Sequence, residues 1–92
     1  METTTAVRTT RTLYDIAFEI RQNWRDPKDG KSKVSVSAKP YLDAMAQMTS
    51  VNEMYGADTG KYVVLYFLSN ATSWKGEVAR RVKAELNAML KS

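Results

Sequence analysis

The chain contains no cysteine and no histidine. The first absence removes disulfides, thiolate metal sites and thiol nucleophiles, and the second removes the commonest general base and the commonest zinc ligand. Glycine is scarce and scattered at Gly30, Gly56, Gly60 and Gly76, so no phosphate-cradling loop or dinucleotide fingerprint is present. The longest apolar run, "YVVLYFL", falls far short of a bilayer span, and Met1 to Thr12 holds no apolar signal core. The carboxylates do not follow the spacing of a calcium loop. Asp15 with Glu19, or Glu77 with Glu85, come nearest to an acid/base pair, yet both pairs fall on faces expected to be exposed, where carboxylates keep ordinary pKa values. These absences lead us to expect a cytoplasmic binding protein, not an enzyme, with no cofactor and no metal.

What is present describes one folded domain. Ninety-two residues suffice for a single core, and 43% hydrophobic with 26% charged residues is an ordinary globular balance. The net charge is +4, with positive charge concentrated in residues 21–39 and 72–92, a distribution suited to steering anionic partners.

Hydrophobic periodicity predicts four helices. "METTTAVRTTR" lacks periodicity and is expected to form a flexible, frayed segment over residues 1–11, followed by a single helical domain over 12–92. The first helix, near 12–25, is capped by Thr12 and puts Leu13, Ile16, Ala17, Ile20 and Trp24 on one face. Tyr14, Phe18, Arg21 and Arg25 form a stripe at its edge. Pro27 ends this helix, and "RDPKDGKSKVSVSAK" reads as an exposed loop with one short extended piece at Val34 and Val36. A second helix, near 40–55, starts at Pro40, aligns Tyr41, Ala44, Met45, Met48, Val51 and Tyr55, and stops at Gly56.

Residues 62–68 are apolar all round a helical wheel, which leaves buried helix and buried strand both open. Helix is the better choice, because a lone central strand would lack ladder partners. This third helix, near 59–70, is expected to be capped by Asp58 and to be the most buried. The fourth, near 73–90, is expected to be capped by Thr72 or Ser73 and to bury Val78, Ala79, Val82, Leu86, Met89 and Leu90. Along it Glu77, Arg81 and Glu85 stand at i,i+4 spacing for a surface ion-pair rung. Arg80, Lys83, Asn87 and Lys91 form a basic stripe with no acidic neighbour on the same face. The fold expected is therefore all-α, a compact four-helix bundle-like domain.

"TLYDIAFEIRQNW", "PYLDAM" and "SVNEMYGADTGKYVVLYFLSNATSWKGEVARRVKAELNAML" together resemble a group of small uncharacterised proteins encoded by tailed phages of actinobacteria and by prophages. The resemblance spans most of residues 12–90 and is most specific at "VLYFLSNATSWKGEVARRVKAEL". It implies a small accessory protein acting in the cytoplasm of an infected bacterium, and it carries no activity or functional residues. Two functions follow as expectations. One is a protein-interaction module, open to self-association, that modulates a bacterial host or defence protein through Tyr14, Phe18, Arg21 and Arg25 or through Arg80, Lys83, Asn87 and Lys91. The alternative is nucleic-acid binding by the basic face of the last helix.

Overall fold

The computed structural model describes residues 11–91 and shows an all-helical domain of four helices. The flexible segment expected over residues 1–11 lies outside the described residues apart from Arg11.

Helix α1, Leu13–Asn23, forms because its apolar residues recur at helical spacing and its orphan amides find acceptors. Thr12 is the N-cap, its hydroxyl accepting from the Asp15 N–H at 3.1 Å. The next two amides are met from elsewhere in the chain: Leu13 donates to the Thr49 carbonyl at 3.1 Å and Tyr14 to the Met48 carbonyl at 3.0 Å. Leu13, Ile16, Ala17 and Ile20 are buried on one face. After Trp24 the chain makes a tight excursion closed by an isolated bridge between Arg25 and Ser32, with Gly30 at φ 73°. The extended piece expected at Val34 and Val36 does not form. Ser35 instead begins a turn into the next helix, and its hydroxyl donates to the Asn70 carbonyl at 2.9 Å.

Helix α2 is shorter than the sequence predicts, Lys39–Met45 in place of 40–55, though Pro40 does sit in its first turn. Beyond that end the run "TSVNE", residues 49–53, does not resume the helix, because short polar side chains compete for the backbone. Glu53 Oε1 accepts from the Thr49 N–H at 2.7 Å and the Ser50 hydroxyl from the Asn52 N–H at 3.1 Å. The same turn frees the Met48 and Thr49 carbonyls to serve α1. Met48 and Val51 are nevertheless buried, whereas Tyr55 is exposed. Gly56, at φ 64°, is not a helix stop but lies in the turn of a two-residue hairpin, β1 (Met54–Tyr55) against β2 (Asp58–Thr59).

Helix α3, Gly60–Asn70, resolves the ambiguity at residues 62–68 in favour of helix. Its cap is Thr59, not Asp58, with the Thr59 hydroxyl accepting from the Tyr62 N–H at 3.4 Å. Only a glycine fits at position 60. A Cβ there would lie 2.7 Å from the Ser50 carbonyl oxygen and from the Val51 Cα. Gly60, Val63, Val64 and Phe67 are inside, but the helix is not buried all round, because Tyr62, Leu65 and Tyr66 face out. It packs on α2, α4 and β2, and only Tyr41 of α2 reaches the edge of that outer side, at Tyr66.

Helix α4, Glu77–Lys91, starts four residues later than expected, so Thr72 and Ser73 are too far upstream to cap it. Trp74 explains the delay. Its ring is buried, stacks on Trp24 at 5.7 Å, and donates from Nε1 to Asn23 Oδ1 at 2.9 Å. Gly76, at φ 111°, then redirects the chain into the helix. Ala79, Val82 and Leu86 complete a core in which Phe67 meets Trp24 edge-on at 6.3 Å. Among the described residues no polar or charged residue is buried.

Candidate functional site

Of the first stripe, the aromatics are exposed and the arginines serve the fold. Tyr14 and Phe18 stand out from α1 and, with Asp15, Arg21 and Ala46, edge a shallow cleft. Arg21 pairs with Asp43 of α2, whose second oxygen takes Lys39 Nζ at 3.2 Å. Arg25 donates from Nε to the Arg21 carbonyl at 2.9 Å and from Nη1 to the Gly30 carbonyl at 2.8 Å, closing the end of α1 and the loop beyond it. The four residues expected to act as one surface thus divide into two jobs.

The charges on α4 are also arranged differently from the i,i+4 rung. Arg81 reaches across to Glu19 of α1, and Glu85 is gripped by Arg11, whose Nε and Nη2 donate at 3.1 and 2.6 Å. Arg11 Nη1 lies 2.7 Å from Glu19 Oε1, so the charges alternate Arg81, Glu19, Arg11, Glu85 across the α1–α4 seam. Hydrogen bonding from Arg81, then from Arg11, holds the Glu19 carboxyl below its ordinary pKa despite partial burial. Pairing with Glu85 raises the Arg11 pKa further.

The basic stripe of α4 does not survive as drawn. Lys83 is half-buried and folds back, its Nζ donating to the Ala71 carbonyl at 2.8 Å and the Trp74 carbonyl at 2.7 Å, 5.9 Å from the Trp74 ring centroid. Burial, and next the neighbouring charge of Lys75, push its ammonium below the ordinary lysine pKa. Asn87 is tied to its own helix, donating to the Lys83 carbonyl at 2.9 Å. Arg80 and Lys91 remain exposed. In place of a long stripe there is a compact basic cleft of about 300 Å³, lined by Thr72, Trp74, Lys75, Gly76, Ala79, Arg80 and Lys83. Lys75 was not in the expected stripe; α4 begins only at Glu77, and the turn that precedes it puts Lys75 in the same cleft as Lys83.

A second surface escaped the sequence reading altogether. Tyr62, Leu65 and Tyr66, on the outer side of α3, are 53%, 45% and 43% exposed. The rings of Tyr62 and Tyr66 stack at 6.2 Å, and Tyr41 of α2 approaches Tyr66 at 5.5 Å, so three tyrosines form a continuous aromatic platform. The all-round apolarity of "YVVLYFL" was the available signal, since a helix with a second uncovered apolar face has the same periodicity as a fully buried one.

Among the described residues no group of Asp or Glu side chains is placed to hold a metal ion, and no helix is long and apolar enough to cross a membrane. Comparison of the chain with protein-family models, curated proteins and solved structures finds no match.

Proposed function

We propose that this domain works by binding another protein, and that the outer face of α3 is where the partner docks. The observation that carries this reading is the exposed Tyr62, Leu65 and Tyr66 on α3, a helix that bears no carboxylate, with the half-buried Tyr41 of α2 extending the aromatic platform at its edge. Tyrosine supplies a large apolar area with a polar tip at little conformational cost, which is why it is enriched at the energetic centres of interfaces. The exposed Tyr14 and Phe18 would extend the contact or serve a second one. In this reading the protein carries out no reaction of its own. The resemblance to phage-encoded accessory proteins supports a bacterial host or defence protein as the partner, met in the cytoplasm.

The nucleic-acid reading has less support than the sequence offered it. Lys83 is committed to backbone carbonyls, and from Arg80 to Lys91 is a rise of about 16 Å along the helix, without a free cation between them on that face. Base readout would need more contacts than this face offers.

The test is the triple variant Tyr62→Gln, Leu65→Gln and Tyr66→Gln, purified and used beside wild type to capture partners from bacterial lysate. Gln keeps helix propensity, so the variant should stay folded with a melting temperature only a few degrees lower. A partner held by wild type, reconstituted with it from purified components and lost by the variant supports the proposal. Equal binding by both proteins would move attention to Tyr14 and Phe18. Concentration-dependent self-association by wild type alone would identify the partner as a second copy.

A further inference from the structure

The basic cleft at the start of α4 has a chemistry that protein docking at α3 does not use. Lys75, Arg80 and Lys83 line it together, and no carboxylate does. The nearest acidic side chain on the helix, Glu77 in the first turn, is exposed outside that lining. Lys75 and Arg80 make no ion pair among the described residues, whereas Arg11, Arg21, Lys39 and Arg81 are each matched to a carboxylate. Lys83 is held in place by two carbonyls, which use two of the three protons an ammonium can donate. Ala79 keeps the floor of the cleft small-sided.

We propose that this cleft is a discrete binding site for one phosphate-type oxyanion, contacted by Lys75, Arg80 and the remaining proton of Lys83. Three cationic donors converging from a turn and a helix suit a tetrahedral dianion better than a planar, singly charged carboxylate. The adjoining first turn of α4 adds the favourable end of the helix dipole. The isolation of the cleft argues for a single small anion over a polymer, since the next free cation on this face, Lys91, is three helical turns away. The repulsion between Lys75 and Lys83 supports the same conclusion, because an anion between them would relieve it.

The experiment is a nuclear magnetic resonance titration of the full chain with inorganic phosphate and with ribose 5-phosphate, against sodium chloride at matched ionic strength. Shifts confined to the amides of Lys75, Gly76, Ala79 and Arg80, with the Lys83 ammonium titrating at higher pH when phosphate is present, are the expected result. Tighter binding of ribose 5-phosphate would assign the anion to a phosphorylated small molecule, and equal binding to free phosphate. The double variant Lys75→Gln and Arg80→Gln, which breaks no ion pair among the described residues and should fold as wild type, should bind at least about tenfold more weakly, while Lys75→Arg should retain binding. The same shifts with chloride, or unchanged affinity in the double variant, would overturn the proposal. So would tighter binding of duplex DNA with shifts running along α4 to Asn87 and Lys91, which would assign the cations to a polymer.

Discussion

Lys83 Nζ lies 2.7 Å from the carbonyl oxygen of Trp74 and 5.9 Å from the centroid of the Trp74 ring, so one side chain both satisfies and covers the turn that joins α3 to α4. The Ala71 carbonyl, which already accepts from the Trp74 N–H at 3.1 Å, takes the same ammonium as a second donor, so Lys83 ties both ends of this turn to α4.

Lys83 is therefore a stability residue before it is a surface residue. Lys83→Met should lower stability by about 1–3 kcal/mol, the cost of leaving the Trp74 carbonyl without its ammonium donor, while the Ala71 carbonyl keeps the Trp74 N–H. Arg80→Gln, three residues earlier and unpaired, should fall within about 0.5 kcal/mol of wild type. Urea unfolding of both variants decides the matter, and equal stabilities would mean that the two carbonyl contacts contribute nothing.

Gly60 and Gly30 make a second contrast. A Cβ at Gly60 would strike the backbone of Ser50 and Val51, which no side-chain rotation can relieve, and Gly60→Ala should cost about 2–3 kcal/mol. Gly30 has a positive φ but open space around it, so Gly30→Ala should cost only the left-handed penalty of about 1 kcal/mol. If thermal melts reverse this order, the close approach of α3 to residues 50–51 is not tight.

The faces of the helices were legible in the sequence, and their ends much less so. Leu13, Ile16 and Ile20, or Val82 and Leu86, are buried because helical spacing and burial are the same fact seen twice. Even Met48 and Val51 are inside, although the backbone there is no longer helical. The ends depend on distant partners: α2 stops where its following carbonyls are taken by Leu13 and Tyr14, and α4 starts late because Trp74 is held by Trp24 and Asn23. Ion pairs follow the same rule. Local spacing showed Glu77, Arg81 and Glu85 as a rung, but only the packing of α1 on α4 could reveal Glu19 and Arg11 as the partners chosen. The candidate surfaces were legible only in part, because exposure of Tyr62 and Tyr66 depends on what does not pack against α3.

Within α3, burial grades the response to charge. Val64 is fully buried, and Val64→Asp should unfold the domain, since a carboxylate there has neither water nor a partner. Leu68 is only half-buried against the core, so Leu68→Asp should cost about 1–3 kcal/mol and leave a folded protein. Circular dichroism separates the two; a folded Val64→Asp variant with a wild-type melt would show that α3 does not anchor the core.

The α1–α4 seam should make stability depend on acid. Glu19 is held below its ordinary pKa by Arg81 and Arg11, so its ionised form is favoured by the fold. By linkage, a carboxyl with a depressed folded-state pKa contributes stability that is complete above its unfolded value and disappears as pH falls through the folded one. The advantage of wild type over Glu19→Gln should accordingly be largest near neutral pH and shrink as pH falls below the ordinary carboxylate pKa and on through the lower folded-state value. Added salt should narrow the advantage at neutral pH only in part, because Glu19 is itself mostly shielded while Arg81 is largely exposed. Denaturant melts of the two proteins across that range provide the measurement. A stability difference that stays constant with pH would mean that Arg81 and Arg11 do not favour the charged form of Glu19, and that the seam is held by the apolar contacts of Ala17, Val82 and Leu86 alone.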